Sequence, residues 1–248
     1  KKIIQKCESE GTKYTDPEFP PEEKSLIRRS DTPAKWKTFV WRRASEFLPE
    51  DQIDVFHKIE PNDILQGQLG DCYFLCCLAV LAERPKLIER LFLTEQANKA
   101  GCYAVWLNDN GEWKPFIVDD YFPCLSAVKG PAFSKSNGPE LWVLLLEKAY
   151  AKMYGSYDII EGGFPSLALR DLTGAPYDFL ESNDPDKVWE YITESDRKGY
   201  LITCYTKSTE IREEQNELGI VFGHAYSILD AKTVKTASGE ERIIQIRN

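Results

Sequence analysis

Apolar residues recur at helical spacing in two segments of the chain. The first segment begins at Cys72, and Pro85 is expected to end its helix because proline has no amide N–H to donate. The apolar positions of this helix are Leu75, Leu78, Ala79 and Ala82. The second segment, residues 139–155, has Pro139 at a position suited to the first helical turn and Gly155 at a position suited to a C-terminal cap. We therefore predict a helix in each segment.

Runs of β-branched and aromatic residues predict strands, mostly later in the chain. Residues 102–107 and 112–118 flank the turn-forming segment 108–111 (NDNG), which predicts a β-hairpin. A short helix is expected at 186–197. Further β runs are expected at 200–205, 225–231 and 241–247. Helices and strands are segregated rather than alternating, which favours an α+β fold over a parallel α/β sheet.

This distribution divides the chain into three predicted parts. Residues 1–35 are expected to form an N-terminal arm, since much of this stretch is rich in Pro, Glu, Lys and Ser. Residues 36–160 are predicted to form a helical subdomain. Residues 161–248 are predicted to form a β-rich subdomain, because the patterns after Gly162 and Gly163 are mainly those of loops and β runs.

The composition is that of a folded, acidic protein. Of its 248 residues 42% are hydrophobic, which is enough to bury a core, and the formal net charge of −9 disfavours nucleic acid as a partner. The locally basic stretch 29–43 is interleaved with Trp36, Phe39 and Trp41 and is interpreted as packing. No apolar run reaches the roughly eighteen residues of a membrane span, and the N-terminus lacks the apolar run of a signal peptide.

The cysteines predict free thiols rather than a disulfide framework. There are seven, an odd number at irregular spacing, so a reducing, cytoplasmic compartment is expected. Zinc is not expected, because the chain has no CxxC pair and only two histidines, His57 and His224.

Cys72 is the candidate nucleophile. It follows the glycine-containing loop 66–71 (QGQLGD) and opens an apolar helix, whose N-terminus offers free N–H groups and a partial positive charge. That environment stabilises a thiolate and can hold the oxyanion of acyl transfer, to which Gln66 can add a side-chain donor. The alternative is a small core residue, which is the interpretation given to Cys76 and Cys77.

His224 is the candidate base and Asn248 the candidate residue that orients it. A cysteine nucleophile needs a base for its proton and a third group that fixes the imidazole tautomer. His224 lies about 150 residues after Cys72, close to the separation in papain-like enzymes. A hairpin near residues 238–239 would bring His224 and Asn248 side by side. Spacing alone leaves open the alternative that His224 is a buried histidine and Asn248 an asparagine without a role. His57 is interpreted as a surface loop residue.

A series of ordered motifs extends over almost the whole chain, from Tyr14 to Asn248. In order they are residues 14–21 (YTDPEFPP), 41–44 (WRRA), 66–72 (QGQLGDC), 118–123 (VDDYFP), 140–142 (ELW), 146–152 (LEKAYAK), 162–163 (GG), 171–174 (DLTG), 223–227 (GHAYS) and 247–248 (RN). With these motifs in this order, the chain resembles the calpain family of cysteine proteases.

The resemblance to calpains implies a papain-like cysteine protease fold in which the substrate lies between two subdomains. The nucleophile and Gln66 would lie on the first subdomain, and His224 and Asn248 on the second. Gly163 and Gly223 would let a peptide backbone approach closely. Calpains make limited cuts in extended segments of proteins. Protein substrates are therefore expected, and other domains of a longer chain are expected as partners.

Calpain cores also bind calcium, which draws their two halves together. One family site uses two carboxylates that match Asp63 and Glu140, and the remaining ligands would be backbone carbonyls near Phe56 and Lys58. The alternative for Glu140 is an acidic residue that stabilises a helix N-terminus. Both interpretations stay open at the level of the sequence.

The chain departs from the calpain pattern at three places. Pro61 stands where calpains carry an arginine that links the two halves, so calcium-driven closure is expected to differ or to be absent. Tyr73 replaces the common tryptophan after the nucleophile. The sequence stops at Asn248, so the second subdomain is expected to lack part of its sheet and the tryptophan that shields the Asn–His hydrogen bond.

Two functions are consistent with these features. The first is a calcium-regulated intracellular cysteine endopeptidase that acts through Cys72, His224 and Asn248. The second is a catalytically silent calpain-like scaffold or interaction module within a larger assembly. The intact set of three residues favours the enzyme, and the abrupt ending favours the module.

Overall fold

The fold was obtained as a computed structural model that describes residues 1–207 and 214–248. The helices are α1 (Lys2–Glu10), α2 (Glu23–Leu26), α3 (Cys72–Ala82), α4 (Lys86–Glu89), α5 (Trp142–Tyr154), α6 (Pro165–Thr173) and α7 (Pro185–Arg197), with short 3₁₀ turns at Ala34–Thr38, Ala44–Glu46, Pro61–Asp63 and Asp158–Ile160. The strands are β1 (Val40–Arg43), β2 (Ile64–Leu65), β3 (Cys102–Asp109), β4 (Glu112–Asp119), β5 (Tyr121–Cys124), β6 (Lys135–Ser136), β7 (Ile202–Tyr205), β8 (Ala225–Thr236) and β9 (Gly239–Arg247). Within these two ranges, none of the helices is both long and apolar enough to cross a membrane.

The strands form several small antiparallel sheets. β1 pairs with β5, β2 with β6 and β3 with β4, whereas β7, β8 and β9 form a three-stranded sheet with β8 in the centre. This mixture of helices and antiparallel strands agrees with the predicted α+β class. Strands β1 to β6 lie within residues 36–160 beside α3, α4 and α5, so the segment predicted to be helical also contains strands. The division near residue 160 stays a prediction.

Two helices that are apolar on nearly every side form the centre of the core. In α3 all of residues 73–82 are buried, and in α5 all of residues 142–151 are buried. Such all-round burial is typical of core helices rather than amphipathic surface helices. The rings of Phe74 and Tyr150 stack with their centroids 4.2 Å apart and join α3 to α5. On its other sides α3 packs against α6 and β8.

Several predicted elements are confirmed, although some boundaries differ, as at the end of the run predicted for 225–231, which extends to Thr236. The helix predicted from Cys72 is α3, which ends before Pro85, and the predicted hairpin is β3–β4. The second predicted helix begins at Trp142 instead of residue 139. The N–H groups of residues 141 and 142 donate to the carbonyls of Asp54 and Val55, each at 3.0 Å, so the preceding residues pair with that segment before the helix begins.

The sequence patterns do not predict α1 and α6. The single fully buried residue of α1 is Cys7, which packs with Ala100 and Cys102, and Ile3 and Ile4 of the same helix pack against this cluster. In α6 one of the inward-facing residues is Asp171, whose carboxylate accepts a hydrogen bond from the hydroxyl of Tyr154 at 2.6 Å. An acidic residue on the buried face conceals the helical pattern.

A buried ion pair connects α5, the β4–β5 corner and the N-terminal arm. The side chains of Lys148 and Asp119 are both 0% exposed and form a salt bridge. Lys148 also donates to the carbonyl of Tyr121 at 2.5 Å. The Asp119 carboxylate accepts the N–H of Asp16 at 2.7 Å, which attaches the arm to the same group. Burial lowers the pKa of Lys148, and Asp119 opposes that shift.

Replacing Lys148 by methionine is expected to lower the free energy of unfolding by about 3–5 kcal/mol, because it leaves the buried Asp119 carboxylate without its cation. Urea denaturation followed by circular dichroism measures this change. Combining Lys148→Met with Asp119→Asn should lower the free energy of unfolding by less than the two single changes added together.

The matched control is Lys114→Met. Lys114 forms a 2.7 Å ion pair with Asp109 on the exposed β3–β4 hairpin, where solvent screens the charges. The control should change the urea midpoint far less than Lys148→Met. Equal effects of the two substitutions would show that the buried pair does not hold the arm and α5 together.

Candidate active site

The loop that leads to Cys72 lies directly against a neighbouring backbone. A Cβ atom on Gly67 would lie 1.9 Å from the carbonyl oxygen of Phe133, so only glycine fits at this position. The N–H of Gln68 donates to the carbonyl of Ala132 at 2.8 Å. Backbone contacts therefore fix the path by which the loop reaches Cys72.

Cys72 begins α3 and is the one residue of that helix that is partly exposed. The carbonyl of Asp71 accepts the N–H groups of Phe74 at 2.8 Å and Leu75 at 3.1 Å. The N–H groups of Cys72 and Tyr73 come before these helical bonds, at the end of the helix where the dipole is positive. The nucleophile candidate thus lies beside backbone donors.

Burial raises the pKa of the Cys72 thiol and is the largest influence on it. The N–H of Ala225 points at the sulfur and lowers the pKa, and the N–H of Tyr73 acts in the same direction. The net shift is upward, although the helix start was expected to favour a thiolate. Burial therefore makes loss of the thiol proton less favourable at this position.

Cys76 and Cys77 lie one turn deeper in α3 and are buried. Their thiols donate to the carbonyl of Tyr73 at 3.2 and 3.1 Å. This geometry agrees with their interpretation as small core residues.

Strand pairing brings His224 and Asn248 together. β8 and β9 form a hairpin that closes at the pair Thr236 and Gly239, and Ser227 pairs with Arg247 at its open end. Nε2 of His224 lies 2.6 Å from Oδ1 of Asn248. If Nε2 carries the proton and donates to this oxygen, Nδ1 keeps its lone pair to accept a proton. Asn248 is exposed, so the contact faces solvent.

The sheet that carries His224 lies directly on the helix that carries Cys72. The hydroxyl of Ser227 donates to the carbonyl of Cys76 at 2.9 Å, in a buried contact between β8 and α3. The N–H of Ala225, the residue after His224, points at the Cys72 sulfur. Among the residues that the structure describes, no hydrogen bond joins the imidazole to the thiol itself.

The backbone of His224 is held by Thr206. The N–H of His224 donates to the Thr206 hydroxyl at 3.1 Å, and the Thr206 N–H donates to the His224 carbonyl at 3.0 Å. Sequence reasoning missed this residue, because only the pairing of β7 with β8 places it beside the histidine.

The other predicted site residues lie around the same centre. One N–H of the Gln66 amide donates to the carbonyl of Leu69 at 3.1 Å. A Cβ atom on Gly163 would lie 2.5 Å from the ring of Tyr73, so this glycine is in close contact with the residue after Cys72. Gly223 has a φ of 62°, which favours glycine just before His224. His57 is exposed in a loop, as expected.

Asp63 and Glu140, the predicted calcium ligands, are both buried. Burial raises the pKa of each carboxyl, and the charge of Asp63 raises the pKa of Glu140 further. The Oε2 atom of Glu140 is buried without a hydrogen-bond partner in the described residues. The N–H groups of His57 and Lys58 point at the Glu140 carboxylate, so the loop presents donors to it where carbonyl ligands were expected. In the described part of the chain, no three His, Cys, Asp or Glu residues cluster closely enough to hold a metal ion.

Comparison with known proteins gives one family. The sequence model described as "Calpain family cysteine protease" matches residues 14–248. The "Calpain-type cysteine protease ADL1" of Oryza sativa subsp. japonica is 37% identical over 251 residues, covering 95% of this chain and 11% of that protein. The "Calpain-1 catalytic subunit" of Rattus norvegicus is 32% identical over 251 residues, covering 98% of this chain and 35% of that protein. The chain thus spans between a tenth and about a third of the length of these relatives. It belongs to the calpain family of cysteine proteases.

Proposed function

We propose that this chain is the catalytic core of a cysteine endopeptidase in which Cys72 is the nucleophile, His224 the base and Asn248 the residue that orients the base. The observation that carries the proposal is the 2.6 Å contact between Nε2 of His224 and Oδ1 of Asn248. The contact between the N–H of Ala225 and the Cys72 sulfur supports the proposal, because Ala225 directly follows His224 in the chain.

The proposed reaction begins with removal of the thiol proton by Nδ1 of His224. The Cys72 sulfur then attacks the carbonyl carbon of the scissile peptide bond, and the imidazolium gives its proton to the leaving amine as the C–N bond breaks. Water attacks the resulting thioester, again with His224 as the base, and releases a carboxylate and the free thiol. Because burial raises the pKa of the thiol, this base is central to the rate.

The oxyanion formed in each step needs preorganised donors. The N–H of Cys72 at the start of α3 is one proposed donor, and the side-chain amide of Gln66 is the other. A primary amide carries two N–H groups, so Gln66 can donate one to Leu69 and the other to the substrate oxygen.

We further propose a papain-like arrangement in which the substrate lies between the parts that carry Cys72 and His224. Gly163 and Gly223 border this cleft and have no side chains to obstruct an extended peptide. Extended segments of proteins are the proposed substrates, and other domains of a longer chain are proposed partners. A reducing compartment such as the cytoplasm suits an enzyme whose seven cysteines are all unpaired.

Calcium is the proposed regulator, with Asp63 and Glu140 as its side-chain ligands. Two buried carboxyls, of which Asp63 raises the pKa of Glu140 and Glu140 has an oxygen without a partner in the described residues, fit a hard divalent cation. Calcium would neutralise both charges. The N–H groups that now face Glu140 oppose a cation, so the 57–58 backbone is expected to rearrange when calcium binds.

The proposed activity predicts selective acylation of Cys72 by an electrophilic peptide probe on the full-length protein. Removal of the base in His224→Ala should lower the acylation rate by about 10²–10⁴-fold, because the neutral thiol then has no proton acceptor. Asn248→Ala should lower it less, since the imidazole remains but is no longer oriented. The rate is measured by mass spectrometry of the modified peptide, with and without calcium.

Cys204 is the internal control for this labelling. Its thiol is also half-buried, and burial raises its pKa to about 11, but it has no predicted base. Cys72→Ala should abolish the rapid labelling and leave the slow modification of Cys204. If Cys72 reacts no faster than Cys204 under either condition, the chain is a silent calpain-like module and the proposed chemistry fails.

Calcium binding at Asp63 and Glu140 predicts a thermal shift that does not depend on activity. At about 100 times its dissociation constant, calcium adds about 2.7 kcal/mol, or about 5–10 °C in Tm for a domain of this size. Glu140→Gln should remove this shift, whereas the exposed control Glu50→Gln should keep it. A shift of the same size in both variants would place calcium elsewhere in the protein.

A further inference from the structure

A pair of buried acidic side chains lies directly behind the nucleophile. Asp71, the residue before Cys72, is 1% exposed, and Glu147 in α5 is 3% exposed. The two carboxyl groups are within hydrogen-bonding reach of each other. Oε1 of Glu147 also accepts the N–H of Ser134 at 3.0 Å. Nothing in the proposed mechanism uses this pair.

The Asp71 carboxyl lacks the donors that a buried carboxylate requires. In residues 1–207 and 214–248, no N–H or O–H group donates a hydrogen bond of good geometry to either of its oxygens. Lys148, the neighbour of Glu147, is directed at Asp119 instead. An unpaired carboxylate in such a place is highly unfavourable, so the group is stable only when it carries a proton.

Asp158 shows the contrasting arrangement in the same core. It is likewise shielded from solvent but lies less deep, and its carboxylate accepts the N–H groups of Arg28 at 2.7 Å and Arg29 at 2.6 Å and the hydroxyl of Thr32 at 2.7 Å. Hydrogen bonds from such donors stabilise the charged form. The two aspartates therefore differ in their hydrogen-bond partners as well as in how deeply they are buried.

We propose that Asp71 and Glu147 hold one proton between them, and that this hydrogen bond positions the first turn of α3 while keeping Asp71 uncharged beside Cys72. Asp71 is the donor in this arrangement and Glu147 the charged acceptor. The two are positioning residues, since they act on the nucleophile through the helix start. Their effect on catalysis rests on the proposed function, whereas the shared proton does not.

Among the described residues, the charged groups with the largest influence on the pair are acids. From α3 the Cys72 thiol and the Tyr73 phenol face Asp71, and from residues 157–161 Tyr157 and Glu161 are close to the pair. Burial is the largest cause that raises the pKa of both carboxyls, to about 7 for Glu147 and well above the usual range for Asp71. Above about pH 7 the pair should therefore hold one proton, on Asp71.

Keeping Asp71 neutral matters for the thiol next to it. A carboxylate at Asp71 raises the pKa of Cys72 and so opposes loss of the thiol proton. With the charge on Glu147 instead, the residue next to Cys72 is neutral. The hydrogen bond also holds the residue whose carbonyl accepts the first helical N–H groups of α3.

The shared proton has a spectroscopic signature that is independent of catalysis. At pH 8 an exposed carboxyl is ionised, so the infrared C=O band of a carboxylic acid reports a buried, protonated group. The spectrum of the wild-type protein minus that of Asp71→Asn should show this band. The matched control Asp158→Asn should produce no such difference. If Asp71→Asn also leaves the acid band unchanged, Asp71 is ionised and the proposal is wrong.

The pH dependence of stability gives a second test. The unfolded chain loses both protons near pH 4, whereas the folded pair retains them to higher pH, so the free energy of unfolding falls as pH rises from about 4.5 through 7. Asp71→Asn gives Glu147 an N–H donor and removes the second acidic group. The free energy of unfolding of this variant should therefore fall less steeply as pH rises. An unchanged slope in urea denaturation between pH 5 and 8 contradicts the proposal.

The positioning role is tested by the probe labelling of Cys72 at pH 8. Asp71→Ala should lower the rate about tenfold or more, because it leaves Glu147 without its donor, and Asp71→Asn should restore most of that loss. Equal rates in the two variants would overturn the positioning role. If wild-type Cys72 labels no faster than Cys204, the proposed function fails, and the infrared band alone still decides whether the proton is shared.

Discussion

The complete burial of α3 is the constraint on which the site depends. All residues of this helix after Cys72 are buried, so its position is determined by α5 on one side and by α6 and β8 on the others. Close-packed interiors do not tolerate small displacements. Because Cys72 is the first residue of this helix, the direction of its sulfur and of its backbone N–H follows from core packing. The loop before it adds the backbone contact at Gly67, which excludes any larger residue.

The same helix also determines where the histidine lies. β8 packs on α3 and is attached to it through the hydroxyl of Ser227 and the carbonyl of Cys76. Its register with β9 then places the ends of the two strands together, with His224 and Asn248 as the residues just beyond them. The positions of His224 and Asn248 thus depend on the pairing of β8 with β9. The positions of all three proposed catalytic residues depend on α3. A change in the α3–β8 contact would move the base relative to the nucleophile without altering either residue.

The sequence predicted those parts of the fold that depend on local patterns. The apolar spacing after Cys72 and the turn residues of the β3–β4 hairpin were sufficient, because each pattern is contained in about a dozen residues. The start of α5 was misplaced, since the carbonyls of Asp54 and Val55 bind the preceding backbone and nothing near Pro139 signals that contact. The histidine–asparagine contact could be predicted because both residues lie at the ends of paired strands. The Asp71–Glu147 pair could not, because only the packing of α3 against α5 brings the two carboxyls together.

The charge of each buried acid near the site follows from its hydrogen-bond and ion-pair partners. Asp119 has a lysine and backbone N–H groups, whereas the side-chain partner of Asp71 among the described residues is another acid. Burial by itself raises the pKa of Cys72, so the core that positions the sulfur also makes its ionisation less favourable. A second negative charge at the adjacent residue would increase that penalty. An aspartic acid that retains its proton avoids the penalty and still provides a hydrogen bond to the helix behind it. The proposed nucleophile can then be tightly packed and still react, provided that His224 accepts its proton.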